Sequence, residues 1–132
     1  GRLLLRALLD THAILYLTSD PGRIGQAARR LVEDPAALLY ASLASLWEIA
    51  IKLRIGKLEL PVPVAEFWTQ TLDRARLIEL PIERRAILRT LDFDLSHRDP
   101  FDRLLAAQAL EAGIAFLSAD AAVDAWGVER IW

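Results

Sequence analysis

The 132-residue chain carries 16 lysine and arginine residues against 18 aspartate and glutamate residues, which gives a net charge of -2. This balance excludes a protein that holds nucleic acid through a broad basic surface, so any contact with nucleic acid should be local. The chain has no cysteine and two histidines, which excludes disulfide bonds, thiolate zinc sites and a multi-histidine metal site within one chain. The metal ligands that remain are oxygen atoms.

The chain is apolar for a globular domain, with 54% hydrophobic residues and a mean hydropathy of +0.25. Its longest apolar runs are much shorter than the roughly 20 residues needed to cross a bilayer, and no signal-peptide pattern opens the sequence. We therefore expect a cytoplasmic protein with no membrane partner. The apolar surplus also favours a surface for a protein partner.

The first half of the chain alternates strand and helix. In chain order the apolar patterns predict a strand over residues 3–9, a helix over residues 24–32, a strand over residues 37–41 and a helix over residues 43–55. Asp10 ends the first strand, Ser42 is placed to cap the second helix, and Gly56 ends that helix.

The second half continues the same alternation. The patterns predict helices over residues 64–74, 82–90 and 100–112, strands over 76–80 and 114–117, a polar loop over 92–99 and an edge strand over 128–132. Such an order favours an α/β fold: a single domain over residues 1–132 with three α/β/α layers and a central, mainly parallel sheet of four or five strands. Ligands of such sheets bind at the carboxyl ends of the strands.

Two acidic residues of the first half each have a local and a functional interpretation. Asp10 follows the first strand directly, so it either caps a helix that begins near Thr11 or lies at the ligand-binding edge of the sheet. Glu48 lies on a helix that is apolar almost all round, in a thin polar stripe with Ser45 and Lys52. It therefore either pairs with Lys52 four residues on or belongs to a buried site.

Two acidic residues of the second half have the same ambiguity. Asp102 falls in the first turn of the predicted helix that Asp99 would cap, where a carboxylate complements the helix dipole. Asp120 falls in the first turn of a short helix that Ser118 would cap. Local caps and ion pairs explain each acid separately, but not why the acids recur at the loops and helix starts that a parallel α/β sheet would bring to one edge.

Four segments together carry a resemblance to a known family. They are LLDTHA at residues 8–13, ASLWEIAIK at 44–52, HRDPFDRLLAAQA at 97–109 and SAD at 118–120. In this order and spacing they resemble PIN-domain ribonucleases, and most of all the VapC toxins of bacterial toxin-antitoxin pairs. The resemblance extends from about residue 8 to the C-terminus and implies a PIN-like fold.

The resemblance also implies a metal site and its chemistry. Asp10 and Asp102 would bind Mg²⁺ directly, with Mn²⁺ as a possible substitute, and Glu48 and Asp120 would act through water or hold a second ion. Asp99 is a second carboxylate that competes with Asp102 for this metal role, although its capping position favours Asp102. Carboxylates held close together repel one another until a cation binds, and Mg²⁺ prefers oxygen ligands in octahedral geometry. The implied reaction is hydrolysis of RNA phosphodiesters that leaves a 5′-phosphate and a 3′-hydroxyl.

The substrate and partners follow from the same resemblance. Thr11 and Ser118 would supply hydroxyls near the phosphate of single-stranded or loop RNA. Arg98 and Arg103 flank the acidic motif and either contact RNA phosphate or remain solvated surface residues. The resemblance further implies a homodimer and a small VapB-like antitoxin that packs on apolar helices. Its possible contacts are Leu43, Leu46 and Trp47, for which a place in the core is the alternative.

Two rival functions remain open. A metal-free nuclease could use His12 and His97 as acid and base and would leave a cyclic phosphate. The other rival is a catalytically inactive PIN-fold protein-interaction module, in which the acids serve only as caps and ion pairs. Cleavage after addition of a chelator separates the first rival from a carboxylate-metal mechanism.

Overall fold

A computed structural model describes residues 5–94 and 99–132 of the chain. These residues form a five-stranded sheet with the order β3-β2-β1-β4-β5. The strands are β1 (Arg6–Leu9), β2 (Leu38–Ser42), β3 (Leu77–Leu80), β4 (Ala115–Leu117) and β5 (Arg130–Ile131). Every neighbouring pair is parallel. The predicted α/β class is confirmed, and the sheet is wholly rather than mainly parallel.

Alternate residues of the central strands face opposite sides of the sheet, as the two-residue period of a strand requires. Leu9 of β1 and Leu117 of β4 lie in one apolar core, whereas Leu8 and Phe116 lie in a second core. All four side chains are buried. Both faces of the sheet are therefore covered, which confirms the predicted layering.

The described residues contain six α-helices, five of which contribute side chains to these two cores. They are α1 (Thr11–Ser19), α2 (Gln26–Val32), α3 (Leu43–Arg54), α4 (Val64–Arg74), α5 (Arg84–Arg89) and α6 (Pro100–Ala112). The same described ranges also contain three 3-10 helices, at Pro21–Arg23, Thr90–Asp92 and Ala121–Trp126. Side chains of α1, α2 and α4 fill the first core, and side chains of α6 fill the second. None of the described helices is both long enough and apolar enough to cross a membrane.

Predicted boundaries differ from the observed ones mainly where the chain leaves regular structure. Helices α4 and α6 have the predicted limits, whereas α5 begins at Arg84 because Glu83 is still extended at its N-cap. The loop expected from residue 92 begins later, because Asp92 ends a 3-10 helix. Residues 3 and 4 of the predicted first strand and residues 95–98 of that loop lie outside the described residues.

The sheet brings the starts of three helices to one edge. Leu9 of β1 pairs with Leu117 of β4, so Asp10 and Ser118 leave the sheet side by side. Helix α3 follows β2 directly, and its first turn therefore lies at the same edge. Helix α6 precedes β4 and runs back along the sheet, so α6 begins there too. This is the carboxyl edge, where open parallel sheets bind ligands.

One buried polar network joins β2 to α6. The Ser42 hydroxyl donates to Oε1 of Gln108 at 2.5 Å and accepts the Ala44 N–H at 2.9 Å. Gln108 Nε2 in turn donates to the Pro81 carbonyl at 3.1 Å. Buried polar groups are costly unless they find such partners, so this network fixes α6 on the sheet.

Candidate active site

Asp10 lies at the end of β1 with 4% of its surface exposed. Its N–H donates to the Leu117 carbonyl at 3.0 Å, and its carboxylate accepts the Ala13 N–H at 2.8 Å. The Ser118 hydroxyl also hydrogen-bonds the carboxylate. The predicted cap of α1 is confirmed. A carboxylate has about four acceptor positions, so capping does not exhaust its capacity to bind a ligand.

Burial raises the pKa of Asp10 above its ordinary value of 3.8, because desolvation penalises the charged form. The hydrogen bonds from Ala13 and Ser118 and the charge of His12 lower the pKa, and the charge of Glu48 raises it further. The net direction is upward. Two carboxylates from separate elements thus repel each other at this edge, and a bound cation would relieve both the repulsion and the desolvation.

A hydroxyl pair holds α3 against the start of α1. Thr11 Oγ1 donates to Ser45 Oγ at 2.9 Å, and both side chains are buried. The two residues are 34 positions apart in the sequence. Because Ser45 lies one helical turn before Glu48, this hydrogen bond sets the position of Glu48 relative to Asp10.

Glu48 is buried, and only one of its two carboxylate oxygens has a partner among the described residues. Its Oε2 lies 2.8 Å from the Lys52 ammonium, which confirms the predicted ion pair. Its Oε1 is buried and has no hydrogen-bond partner among the described residues. An unsatisfied buried acceptor costs about 1–3 kcal/mol. The ion pair alone therefore does not explain this carboxylate, and its second oxygen is available to a ligand.

The start of α6 lies beside Glu48. Asp99 caps the helix by accepting the N–H groups of Phe101 at 2.9 Å and Asp102 at 3.3 Å, which confirms its predicted role. Phe101 meets Trp47 of α3 edge-to-face at 5.3 Å between ring centroids. Asp99 and Glu48 line the same 360 Å³ groove. Asp102, in the first turn of α6, is partly exposed at this end of the helix.

The turn after β4 corrects one predicted cap. Asp120, not Ser118, caps the 3-10 helix Ala121–Trp126, because its carboxylate accepts the Ala122 N–H at 3.0 Å. The Ser118 hydroxyl instead accepts the N–H of Asp120 at 3.1 Å, the local bond that a serine makes in a turn. Since Ser118 also bonds Asp10, it links two of the predicted acids.

Two residues that support the site were not predicted to belong to it. Ser45 was visible only as part of a polar stripe, and its partner Thr11 is too distant in sequence for any pattern to reveal. Arg130 of β5 donates to the Ser118 carbonyl at 3.3 Å and pairs with Asp124 at 2.8 Å. It therefore braces the turn that carries Ser118. No sequence signal distinguished it from the other arginines.

Other predicted residues have different outcomes. Arg98 and His97 lie outside the described residues. His12 is exposed at the start of α1. A place in the core is wrong for Trp47, which is 59% exposed, while Leu43 and Leu46 are partly buried. Helix α3 is thus less enclosed than its apolar sequence indicated, because one of its faces extends beyond the two cores.

The donor set fits a hard cation, although no metal site is shown. Within residues 5–94 and 99–132, no three histidine, cysteine, aspartate or glutamate side chains form a group that could hold a metal ion. Asp10 and Glu48 interact through their charges, and Ser118 connects Asp10 to Asp120. The buried carboxylate oxygens, one of which has no partner among the residues that the structure describes, are the ligand type that Mg²⁺ prefers. The four-acid ligand set stays a prediction.

A parallel α/β sheet with buried carboxylates at its carboxyl edge defines the class of protein. Residues 7–127 match the family model of the PIN domain, and the chain belongs to that family. Within the family it is a distant homologue of the VapC ribonuclease toxins. It is 27% identical over 113 residues to Ribonuclease VapC22 of Mycobacterium tuberculosis (strain ATCC 25618 / H37Rv), covering 86% of this chain and 85% of the relative.

Solved structures show the same fold. The DNA-bound VapBC of Salmonella typhimurium superposes with a TM-score of 0.67 at 16% identity, over 96% of this chain and 97% of that one. VapBC2 of Rickettsia felis, bound to a promoter DNA fragment, gives 0.66 at 12% identity, over 97% of this chain and 100% of that one. The PIN-like fold predicted from the sequence is confirmed.

Proposed function

We propose that the chain is a Mg²⁺-dependent endoribonuclease and the toxin component of a type II toxin-antitoxin system. The observation that carries the proposal is the buried pair Asp10 and Glu48 at the carboxyl edge of a PIN fold. Burial and mutual repulsion destabilise this pair, and one of its oxygens has no partner among the described residues. A cation is the ligand that would offset all of these costs.

The proposed roles distribute the site over four segments of the chain: the end of β1, α3, the start of α6 and the turn after β4. Asp10 and Asp102 would bind the ion directly, and Glu48 and Asp120 would act through water or hold a second ion. When bound, Mg²⁺ or Mn²⁺ supplies Lewis acidity that activates water and polarises a phosphoryl oxygen. Ser118 orients the Asp10 carboxylate through its hydrogen bond, and it is the proposed hydroxyl beside the substrate phosphate.

Two further residues complete the proposed substrate contacts. The Thr11 hydroxyl donates to Ser45, so it supports the site by holding α1 and α3 together, and it is the second hydroxyl proposed to lie near the phosphate. Arg98, between the described parts of the chain, is the proposed cationic contact to RNA. Single-stranded or loop RNA is the proposed substrate, because splayed strands expose phosphates and bases to such a local site.

The test is cleavage of single-stranded RNA by the purified chain. We expect cleavage in Mg²⁺, none after EDTA, and recovery when Mg²⁺ or Mn²⁺ is restored. Asp10→Asn should abolish cleavage while keeping the α1 cap, since asparagine caps helices as well as aspartate does. Asp34→Asn is the matched control, because Asp34 likewise accepts a backbone N–H, from Ala36 at 2.9 Å, but at an exposed position. Cleavage that persists in EDTA would contradict the metal mechanism.

A VapB-like antitoxin and a second copy of the chain are the proposed protein partners. Exposed apolar side chains support this: Trp47 is 59%, Ile87 52% and Leu91 80% exposed. These three residues line one 490 Å³ groove. Light scattering of the purified chain, alone and after co-expression with its candidate antitoxin, tests both partners. A monomer that forms no complex and leaves growth unaffected would contradict this arrangement.

The alternative is a catalytically inactive interaction module. It is favoured by the fact that Asp10, Asp99 and Asp120 each cap a helix and Glu48 pairs with Lys52. Growth of cells that express the chain separates the two functions. If Asp10→Asn inhibits growth as strongly as the unchanged chain, the interaction module is the better description.

A further inference from the structure

Both lysines of the chain lie in the groove beside Glu48. Of the 16 basic residues, 14 are arginine, and only Lys52 and Lys57 are lysine. Both line the 360 Å³ groove between α3 and the start of α6. An ammonium group is a compact charge on a flexible stem, so it exchanges partners more readily than the planar fork of arginine. The groove is therefore lined by both of the flexible ammonium side chains of this protein.

The end of α3 sets the position of Lys57. Gly56 has a positive φ of 75°, which lets the chain turn back at the helix end. The Gly56 N–H donates to the Leu53 carbonyl at 3.2 Å, and the Lys57 N–H donates to the Lys52 carbonyl at 2.9 Å. This pair of bonds is the Schellman motif. It folds Lys57 back beside the last turn of α3, where Lys52 lies.

The two lysines differ in their partners. Lys52 holds Oε2 of Glu48 at 2.8 Å, yet 30% of its side chain is exposed to the groove. Lys57 is exposed and makes no ion pair within residues 5–94 and 99–132. The ammonium of Lys52 thus lies between a buried carboxylate and an open groove, and only the carboxylate engages it in this structure.

We propose that Lys52 is shared between Glu48 and a phosphate of the RNA substrate, so that a cation bound at the acids releases Lys52 to the phosphate in the groove. This inference rests on the proposed function for the identity of the substrate. In the metal-free chain Lys52 neutralises Glu48 and is unavailable to RNA. With a cation at the acids Glu48 no longer needs Lys52, whose exposed ammonium then turns into the groove.

Electrostatics explains why the exchange needs the cation. A buried carboxylate that loses its only ion-pair partner is left uncompensated, which is strongly unfavourable. Lys52 therefore leaves Glu48 only when another positive charge replaces it. Because coupling between two ligands is reciprocal, RNA that captures Lys52 also favours the cation at the acids. Asp99, which lines the same groove, would repel a phosphate, so the lysine charge is needed for binding there.

The test measures how strongly salt weakens binding of a short single-stranded phosphorothioate oligoribonucleotide that resists hydrolysis. Each phosphate contact contributes about 0.7 to the slope of log K against log salt for a single strand. We expect wild type and Lys52→Met to have equal slopes without divalent cation. In Mn²⁺ the wild-type slope should exceed that of Lys52→Met by about 0.7. Equal slopes in Mn²⁺ would overturn the proposal.

A second variant tests the exchange without any metal. Glu48→Gln removes the charge that retains Lys52 while keeping the shape of the side chain. In this background Lys52 should contribute to the salt slope even in EDTA, so Glu48→Gln with Lys52→Met should have a slope about 0.7 lower than Glu48→Gln alone. Two equal slopes would show that Lys52 never reaches the phosphate, and the proposal would fail.

Matched controls separate this role from a structural one. Arg54→Met removes an exposed charge from the same helix but outside the groove. The increase of the salt slope in Mn²⁺ should therefore be the same as in the wild type. Lys52→Arg should restore the slope because it restores the charge. A merely structural Lys52 would alter unfolding without altering the slope. RNA cleavage tests the proposed function independently. If the chain cleaves RNA but shows no coupling between the cation and Lys52, only the present inference is wrong. If it shows this coupling but does not cleave RNA, only the proposed nuclease activity is wrong.

Discussion

Two buried polar clusters lie near the carboxyl edge of the sheet and differ in how fully they are satisfied. In the network of Ser42 and Gln108 each side chain both donates and accepts a hydrogen bond within the protein. In the cluster around Asp10 and Glu48, burial raises the pKa of the Asp10 carboxyl, and one Glu48 oxygen has no hydrogen-bond partner in the part of the chain that the structure describes. The first cluster stabilises the fold by itself, whereas the second is complete only with a ligand.

The largest expected effect tests whether the carboxylate cluster includes Asp102. Asp102→Asn should reduce RNA cleavage at least about 100-fold, because it removes a proposed direct ligand. The fold should be retained, because the side chain that caps α6 is that of Asp99. Cleavage rates and urea unfolding measure the two effects.

The same substitution at Asp99 tests which of the two carboxylates, Asp99 or Asp102, is the direct ligand. Asp99→Asn keeps a good cap and should lose less activity than Asp102→Asn. If Asp99→Asn loses the more activity of the two, the ligand roles of the two carboxylates must be exchanged.

The next largest effect is expected in the network of Ser42 and Gln108, the cluster that is satisfied within the protein. Gln108→Leu leaves the buried Ser42 hydroxyl without its acceptor and removes the partly buried bond to the Pro81 carbonyl, so unfolding should become easier by about 1–3 kcal/mol. Cleavage per folded molecule should stay at the wild-type level. A loss of activity without a loss of stability would show that this network also serves the site.

A third variant perturbs packing and neither polar cluster. A Cβ at Gly25 would lie 2.3 Å from the Trp132 carbonyl oxygen, the same atom that accepts the Ala28 N–H at 2.9 Å. Gly25→Ala should therefore destabilise the chain by about 1–3 kcal/mol, as overpacking does. Gly22→Ala is the control, because its nearest atom is a side-chain oxygen at 3.7 Å. Equal stability of the two variants would contradict the close approach.

Local chemistry explains which parts of the fold could be predicted. The limits of α6 follow from Asp99, Pro100 and Gly113, which lie at its ends and act on neighbouring backbone groups. The ion pair of Glu48 with Lys52 follows from four-residue spacing in the same way. Such contacts need no knowledge of the tertiary fold, so the sequence pattern alone was sufficient.

The features that could not be predicted from the sequence depend mainly on contacts between residues far apart in the chain. Ser42 meets Gln108 across 66 positions, and Thr11 meets Ser45 across 34. The exposure of Trp47 likewise depends on where α6 lies, not on the composition of α3. At Asp120 the capping chemistry was predicted but the capping residue was wrong, because two side chains compete for neighbouring N–H groups.

The smallest expected effect is a pH dependence of the free energy of unfolding, which should arise from Asp10 and not from the network of Ser42 and Gln108. The folded pKa of Asp10 is raised above 3.8, the value expected in the unfolded chain. As pH rises, the unfolded chain therefore releases this proton first, and the folded state holds more protons until its own pKa is passed. The contribution of Asp10 to stability is thus complete at low pH and is lost as pH rises through the folded pKa.

Urea unfolding in EDTA, from about pH 4 to about pH 8, measures this loss. Asp10→Asn removes the titration and keeps the cap, so the difference between variant and wild type should grow in favour of the variant with rising pH. Asp34→Asn should follow the wild type. Adding Mn²⁺ should return stability to the wild type at high pH, because a ligand that binds only the folded state stabilises it. A constant difference between Asp10→Asn and wild type would mean that burial does not destabilise this carboxylate, and the contrast between the two clusters would disappear.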